Sequence, residues 1–212
     1  MKKLILLLLF LFSCTLISYG QKVTIDENVS VHFPGIPNKS NDKLKGFEVN
    51  SFYLNTTDSF VILRTAGVDQ SLPLLDNKIE LQNFYRRFSE TFIKSCNQKG
   101  LITNSANFIT KGKYLGYQIE FVDKESKVKN GEALVMFADG IAYIFVYSKI
   151  ETFSSERSES FLKSINFKDD LSQLKSESIF GSSLTKLFLL IGVIIALLYI
   201  MQNRKSKTAV NT

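Results

Sequence analysis

The chain has 212 residues, 45% of them hydrophobic and 22% charged, with a formal net charge of +6 at pH 7. That length supports one domain of ordinary size with residues to spare. Six of the 26 basic residues, Lys2, Lys3, Lys186, Arg204, Lys205 and Lys207, lie near the two ends, so residues 21–180 carry 20 basic and 20 acidic side chains, and a neutral body without a field for phosphate argues against a nucleic-acid partner.

The opening MKKLILLLLFLFSCTLISYGQK places Lys2 and Lys3 before an apolar run from Leu4 to Phe12, and small residues follow at Ser18 and Gly20. This is the pattern of a secretory signal peptide over residues 1–20, with cleavage before Gln21. Leu11-Phe12-Ser13-Cys14 also resembles a bacterial lipoprotein box, although Phe12 is bulky for it, so lipidation at Cys14 stands as the alternative. If Cys14 leaves with the signal, Cys96 is the single cysteine and no internal disulfide can form. An exported domain of this kind must be stabilised by its own core.

Val23 to Phe33 alternates at Val29, Val31 and Phe33 and predicts a half-buried strand, ended by Pro34 and Gly35. His32, the single histidine, points away from the apolar face and has no second histidine with which to share a metal. Phe47, Val49, Ser51 and Tyr53 alternate again, NTTDS turns the chain, and FVILRTAGV completes an expected hairpin. From Asp76 to Ser95 the period lengthens: Leu81, Phe84, Tyr85, Phe88, Phe92 and Cys96 fall within one arc of a helix. Asp76 is the expected cap and Gly100 the expected stop, with Arg86, Arg87, Glu90 and Lys94 on the outer face. Cys96 on that stripe reads as a buried thiol rather than a nucleophile.

Strand-like runs follow in LITNSANFIT, YLGYQIEFVD, EALVMFA and IAYIFVYSKI, with Asn130-Gly131 and Asp139-Gly140 as expected tight turns. Lys124, Lys127 and Lys129 read as a solvated hairpin. Leu134 to Ala138 and Ile141 to Tyr147 are apolar on both faces, which calls for cover on both sides of the sheet. A helix from about Ser155 to Ile165, burying Phe161, Leu162 and Ile165, would cover one face while the Asp76 helix covers the other. The expected fold is α+β: an antiparallel sheet of about six to seven strands covered by helices, followed by one transmembrane helix.

VSVHFPGIP, a hairpin, a long helix, a second set of strands containing YLGYQIEF, and a closing FLKSINF together resemble the PsbP-like α/β/α sandwich, especially its exported bacterial versions. The resemblance spans about residues 22–167. It implies a binding or assembly factor, mostly non-catalytic in that family, and carries no functional residue onto a position here. The expected extracytoplasmic domain is therefore 21–167.

Residues 168–183, KDDLSQLKSESIFGSS, are polar and Ser-rich and read as a linker. Residues 184–201 form the expected transmembrane helix, since Leu187 to Met201 contains no charge and Lys186 can snorkel. Gly192 and Ala196 make a small-residue pair of a kind that short apolar helices contain by chance. Residues 202–212 are a basic tail, cytoplasmic by the positive-inside rule, which places the main domain outside, periplasmic or at the cell surface. The expected partners are the lipid bilayer, through the carboxyl-terminal helix, and an envelope protein.

The sequence contains no GxSxG elbow, P-loop, CxxC or HExxH, and carboxylate pairs such as Glu120 and Asp123 have spacings expected by chance. It names no catalytic, cofactor-binding or metal residue, and no cofactor is expected. Three functional readings follow: a membrane-tethered binding or assembly module, an exported surface protein whose apolar end is a sorting tail, or an enzyme with an unmarked site.

Overall fold

The computed structural model describes residues 20–44, 46–68, 72–98, 101–149 and 152–174, without the side chains of Leu44, Phe88, Thr91, Phe92 and Ser95. Residues 1–19 of the expected signal peptide, residues 175–183 of the expected linker, the transmembrane helix, the basic tail and the Gly100 stop lie outside these residues.

The expected single strand from Val23 to Phe33 is instead a hairpin, β1 (Gln21–Thr24) and β2 (Val29–Phe33). Asp26 makes the turn, its Oδ1 accepting from the backbone N–H groups of Asn28 (2.9 Å) and Val29 (3.0 Å). After Pro37 comes a strand that the sequence did not announce, β3 (Asn38–Leu44), NKSNDKL, pairing along its length with β4 (Phe47–Asn55). Apart from Leu44 its residues are polar, because it is the sheet's outermost strand on that side, where alternation gains nothing and charge discourages further pairing. β5 (Asp58–Gly67) completes the expected hairpin with β4.

Helix α1 (Lys78–Asn97) begins one residue later than expected. Asn77, not Asp76, is the cap: its side chain accepts from the Glu80 N–H at 3.0 Å, while Glu80 reaches back to the Asp76 N–H at 3.0 Å. This is the reciprocal arrangement of a capping box displaced by one residue.

The remaining strands are β6 (Leu101–Lys111), β7 (Tyr114–Asp123), β8 (Lys129–Ala138) and β9 (Ile141–Lys149), followed by α2 (Ser155–Lys163) and the two-residue β10 (Asn166–Phe167). Asp139 (φ 48°) and Gly140 (φ 71°) make the expected tight turn, both in the left-handed region. Asn130-Gly131 does not turn. It lies within β8, and a Cβ on Gly131 would stand 3.0 Å from the Tyr147 carbonyl, so the glycine serves close strand approach. The chain reverses instead at Asp123–Val128, where Asp123 Oδ1 accepts from the N–H groups of Glu125 (3.0 Å) and Ser126 (2.8 Å) and Lys127 takes φ 58°. A side-chain-capped loop replaces the dipeptide turn.

The seven-stranded sheet is antiparallel throughout, in the order β3-β4-β5-β9-β8-β7-β6, and a small sheet of order β1-β2-β10 lies apart from it. Successive residues of β5 divide between two cores: Val61 and Leu63 pack with Leu81, Phe84, Tyr85 and Cys96 of α1, while Phe60 and Ile62 pack with Val31 and Phe33 of β2 and Phe161 of α2. The two helices thus cover opposite faces, as expected, with the small sheet sharing the second face. Leu134–Ala138 and Ile141–Phe145 are buried on both sides for that reason. Among the described residues, no helix is long and apolar enough to cross a membrane.

The polar segment after Phe167 is not free at its start. Leu171 is buried, the Tyr114 hydroxyl donates to the Lys168 carbonyl, and Leu174 pairs with Leu75 as a parallel bridge. Residues 168–174 form a strap across the end of the large sheet that carries the Asp139-Gly140 turn.

Candidate functional site

Between α2 and the outer strands β6, β7 and β8 the two layers part, leaving a cleft of about 430 Å³. Its floor is apolar, with Ile109, Leu134 and Leu162, and its walls are charged, with Lys111, Lys129, Glu132, Glu159 and Lys163. β8 presents Glu132 on the α2 side, where alternation would place an apolar residue, and the buried carboxylate is fully engaged there. It accepts from Ser158 Oγ of α2 at 2.5 Å and pairs with Lys129. Lys129 also reaches Glu120 at 2.9 Å and lies over the Phe153 ring at 4.6 Å. Burial works against the Lys129 charge, but the hydrogen bonds it donates to Glu132 and Glu120 prevail and hold its pKa above the ordinary lysine value. The same hydrogen bond from Lys129 holds Glu120 below its usual range.

Lys111 has a different partner set. Its Nζ donates to the Leu162 carbonyl at 2.7 Å and approaches that of Lys163 at 3.4 Å, so it neutralises the carboxyl end of α2. Burial lowers its pKa. Among the described residues it has no carboxylate partner, whereas Lys163 is paired with Glu159 at 2.6 Å. The cleft can therefore hold a small polar or weakly anionic group against an apolar floor. Ser158, which donates to Glu132, is fully buried and is not an accessible nucleophile.

Two further charged nodes flank the second core. Asp58, nearly fully buried, accepts from Tyr147 Oη at 3.0 Å, pairs with Arg157 of α2, and faces Lys149 Nζ at 3.7 Å. Asp26, which makes the first turn, also accepts from Arg64 Nε (2.6 Å) and Tyr143 Oη (2.7 Å). Burial raises the Tyr143 and Tyr147 pKa values, the latter to about 12, with the adjacent carboxylates adding to the effect. These nodes tie β1–β2 and α2 to the large sheet.

A fourth node is built from uncharged groups. The β7–β8 ladder stops at the Gly116–Met136 pair, and the Gln173 carboxamide occupies the gap beyond it. Its Nε2 donates to the carbonyls of Leu115 (2.7 Å) and Phe137 (2.9 Å), and its Oε1 accepts from the Leu115 N–H (2.8 Å). Tyr85 Oη of α1 donates to the same Leu115 carbonyl (2.9 Å) and accepts from the Phe137 N–H (3.0 Å). A side-chain amide thus replaces a rung of the sheet.

The residues weighed from sequence fall as follows. His32 is exposed, Cys96 is buried with its thiol pushed up to about 12, and Arg86 and Arg87 are exposed on α1, Arg86 resting 5.7 Å over the Phe108 ring. Lys124 and Lys127 are exposed as expected of a solvated hairpin, but Lys129 joins the cleft. Glu120 and Asp123 are given separate tasks, one in the Lys129 pair and one capping the loop. Sequence reasoning missed Glu132, Asp58 and Gln173. The one visible signal was for Glu132, a carboxylate opening the apolar run EALVMFA.

No protein-family model matches the chain, and no curated protein sequence does. Among solved structures it is similar to cyanobacterial PsbP (CyanoP) from Synechocystis sp. PCC 6803, at 13% identity and a TM-score of 0.47, covering 72% of this chain and 94% of that one. It is also similar to a protein from Bacteroides thetaiotaomicron VPI-5482, at 13% identity and a TM-score of 0.36, covering 72% of this chain and 50% of that one. Neither likeness carries a statement about activity or partner to this chain. The α+β architecture rests on the strands and helices described above.

Proposed function

We propose that this chain is a membrane-tethered, extracytoplasmic binding or assembly module of PsbP-like type that acts on another envelope component without catalysing a reaction. The observation that carries this reading is a charge-neutral domain set between an export-type leader and an apolar segment that ends in a basic tail. The cleft chemistry agrees with binding, since its ammonium and carboxylate groups are committed to one another and to backbone carbonyls rather than poised for proton transfer. Tethering raises the effective concentration of a partner in the same membrane, so a weak contact suffices.

The test combines location and capture. The full chain is expected to stay in the membrane pellet after alkaline carbonate washing, and external protease is expected to remove the domain from spheroplasts but not the tail. After crosslinking in cells the full chain is expected to recover one specific envelope protein well, and a secreted chain ending at Leu174 to recover it poorly. Labelling by a generic active-site serine probe, or turnover of a small substrate, would replace this reading with the enzyme. A mature mass ending near Gly181 would replace the anchor with a sorting tail.

A further inference from the structure

Among the described residues five large apolar side chains are exposed, and three of them, Ile79 (69%), Leu174 (41%) and Val68 (40%), belong to one end of the domain. Val68 follows β5 and donates its N–H to the Gly46 carbonyl at 3.0 Å; Leu72 donates to the Gly140 carbonyl at 2.9 Å; Leu174 bridges Leu75; and Ile79 begins α1 one turn further on. This is the end crossed by the strap, and it is where the described residues end. The other two, Ile36 and Val128, lie at the opposite end of the strands.

Length fixes what lies opposite that end. Leu184, the first residue of the apolar segment, is ten residues beyond Leu174, so the two are at most about 35 Å apart when fully extended, and about 17 Å apart on average for a flexible chain. The strap keeps Leu174 from drifting, because Gln173 is keyed between β7 and β8 and the Ser172 N–H donates to Asp139 Oδ1 at 2.7 Å. The apolar end is thus the one that a membrane anchor would hold against the bilayer.

We propose that the strap end of the domain, through Val68, Ile79 and Leu174, docks on the lipid surface and fixes the domain's orientation on the membrane. This rests on the membrane-tethered reading above. The contact is apolar rather than electrostatic: both signs of charge are exposed at this end, Lys43, Lys78, Lys113 and Lys168 with Asp42, Asp169 and Asp170, so no single-signed cationic patch faces the headgroups. Apolar side chains at the headgroup boundary gain by leaving water without needing anionic lipid.

The chain contains no tryptophan, so single-tryptophan variants of the full chain report cleanly. Ile79→Trp and, as a second probe of the same end, Leu174→Trp are reconstituted in phosphatidylcholine vesicles beside Val128→Trp from the far end. Blue-shifted emission quenched by brominated lipid at the first two positions, unchanged in high salt, and water-like emission at the third are expected. Gln173→Leu in the Ile79→Trp chain is expected to reduce the quenching without loss of incorporation. If the chain incorporates but all three probes are equally quenched or equally unquenched, the docking is overturned while the tether stands. If the full chain is stripped from vesicles by carbonate, the tethered reading fails and this inference with it. Unchanged quenching in the Gln173→Leu chain would overturn the role of the strap in setting orientation.

Discussion

Replacing Gln173 with Leu keeps most of the side-chain volume and deletes three hydrogen bonds to the backbone at the end of the β7–β8 ladder and a longer one, 3.5 Å, to Tyr85 Oη. The Leu115 carbonyl keeps its bond from Tyr85 Oη, but the Leu115 N–H and the Phe137 carbonyl lose the Gln173 partner. A buried backbone group left without a partner costs about 1–3 kcal/mol. Two such groups, half relieved because Gln173 is only partly buried and water can follow the strap, amount to about 1–3 kcal/mol. Ending the chain at Phe167 removes the same bonds together with the burial of Leu171, which adds about 1.5–3 kcal/mol. Urea unfolding of chains 21–174, 21–174 with Gln173→Leu, and 21–167 is expected to give that order of decreasing stability, each by a cooperative transition. Gln173→Glu adds a signed check. Its carboxylate would face two carbonyls, which raises its folded-state pKa, so the variant is most stable at acid pH and weakens as pH rises through that pKa. Equal midpoints for 21–167 and 21–174 would refute the reasoning and return residues 168–174 to the linker.

Asp58→Ala should cost about 2–4 kcal/mol by thermal or urea unfolding, since it strands the Tyr147 hydroxyl and the Lys149 charge; the Arg157 partner is mostly exposed and contributes little of that. Gly116→Ala places a Cβ 2.5 Å from Met136 Sδ and 3.1 Å from Leu134 Cδ1, and the shift this forces is expected to cost about 1–3 kcal/mol, read as a lower melting temperature; a neutral result would show that Met136 swings aside freely. Because the hydrogen bond from Lys129 depresses the Glu120 pKa, this pair contributes stability above the unfolded-state value of about 4.3 that is lost as pH falls through the folded value. Glu120→Gln should therefore flatten the stability curve on the acid side and, because Glu120 also helps to hold the Lys129 pKa up, lessen the loss of stability as pH rises through the Lys129 value. Cys96, with its thiol pushed up to about 12 by burial, should resist iodoacetamide at pH 8 in the folded chain and react on unfolding; rapid labelling of the native chain would place it on an open surface.

Local pattern was enough for most elements and for their division between two faces. Val29, Val31 and Phe33, the continuous run through Val61 and Leu63, and the helical stripe through Leu81, Phe84 and Tyr85 each carry their burial in their spacing, because one buried face imposes a period that a reader can count. Charge segregation to the chain ends was likewise visible without any fold. What spacing cannot encode is an interaction whose partner is distant in sequence and whose own neighbours are polar. β3 shows no alternation because both of its faces are wet, and it is a strand only because β4 offers it a ladder. Asn130-Gly131 has turn chemistry, yet Asp123 captures the reversal and Gly131 is spent on the approach of β9. Gln173 sits in a stretch with the composition of a linker, and the gap it fills exists only once β7 and β8 diverge beyond Gly116 and Met136. Glu132 and Asp58 are buried, and Gln173 half-buried, because tertiary contacts bring Ser158, Arg157 and the Leu115 backbone to them, so their partners are decided by the fold and not by the pattern of their neighbours.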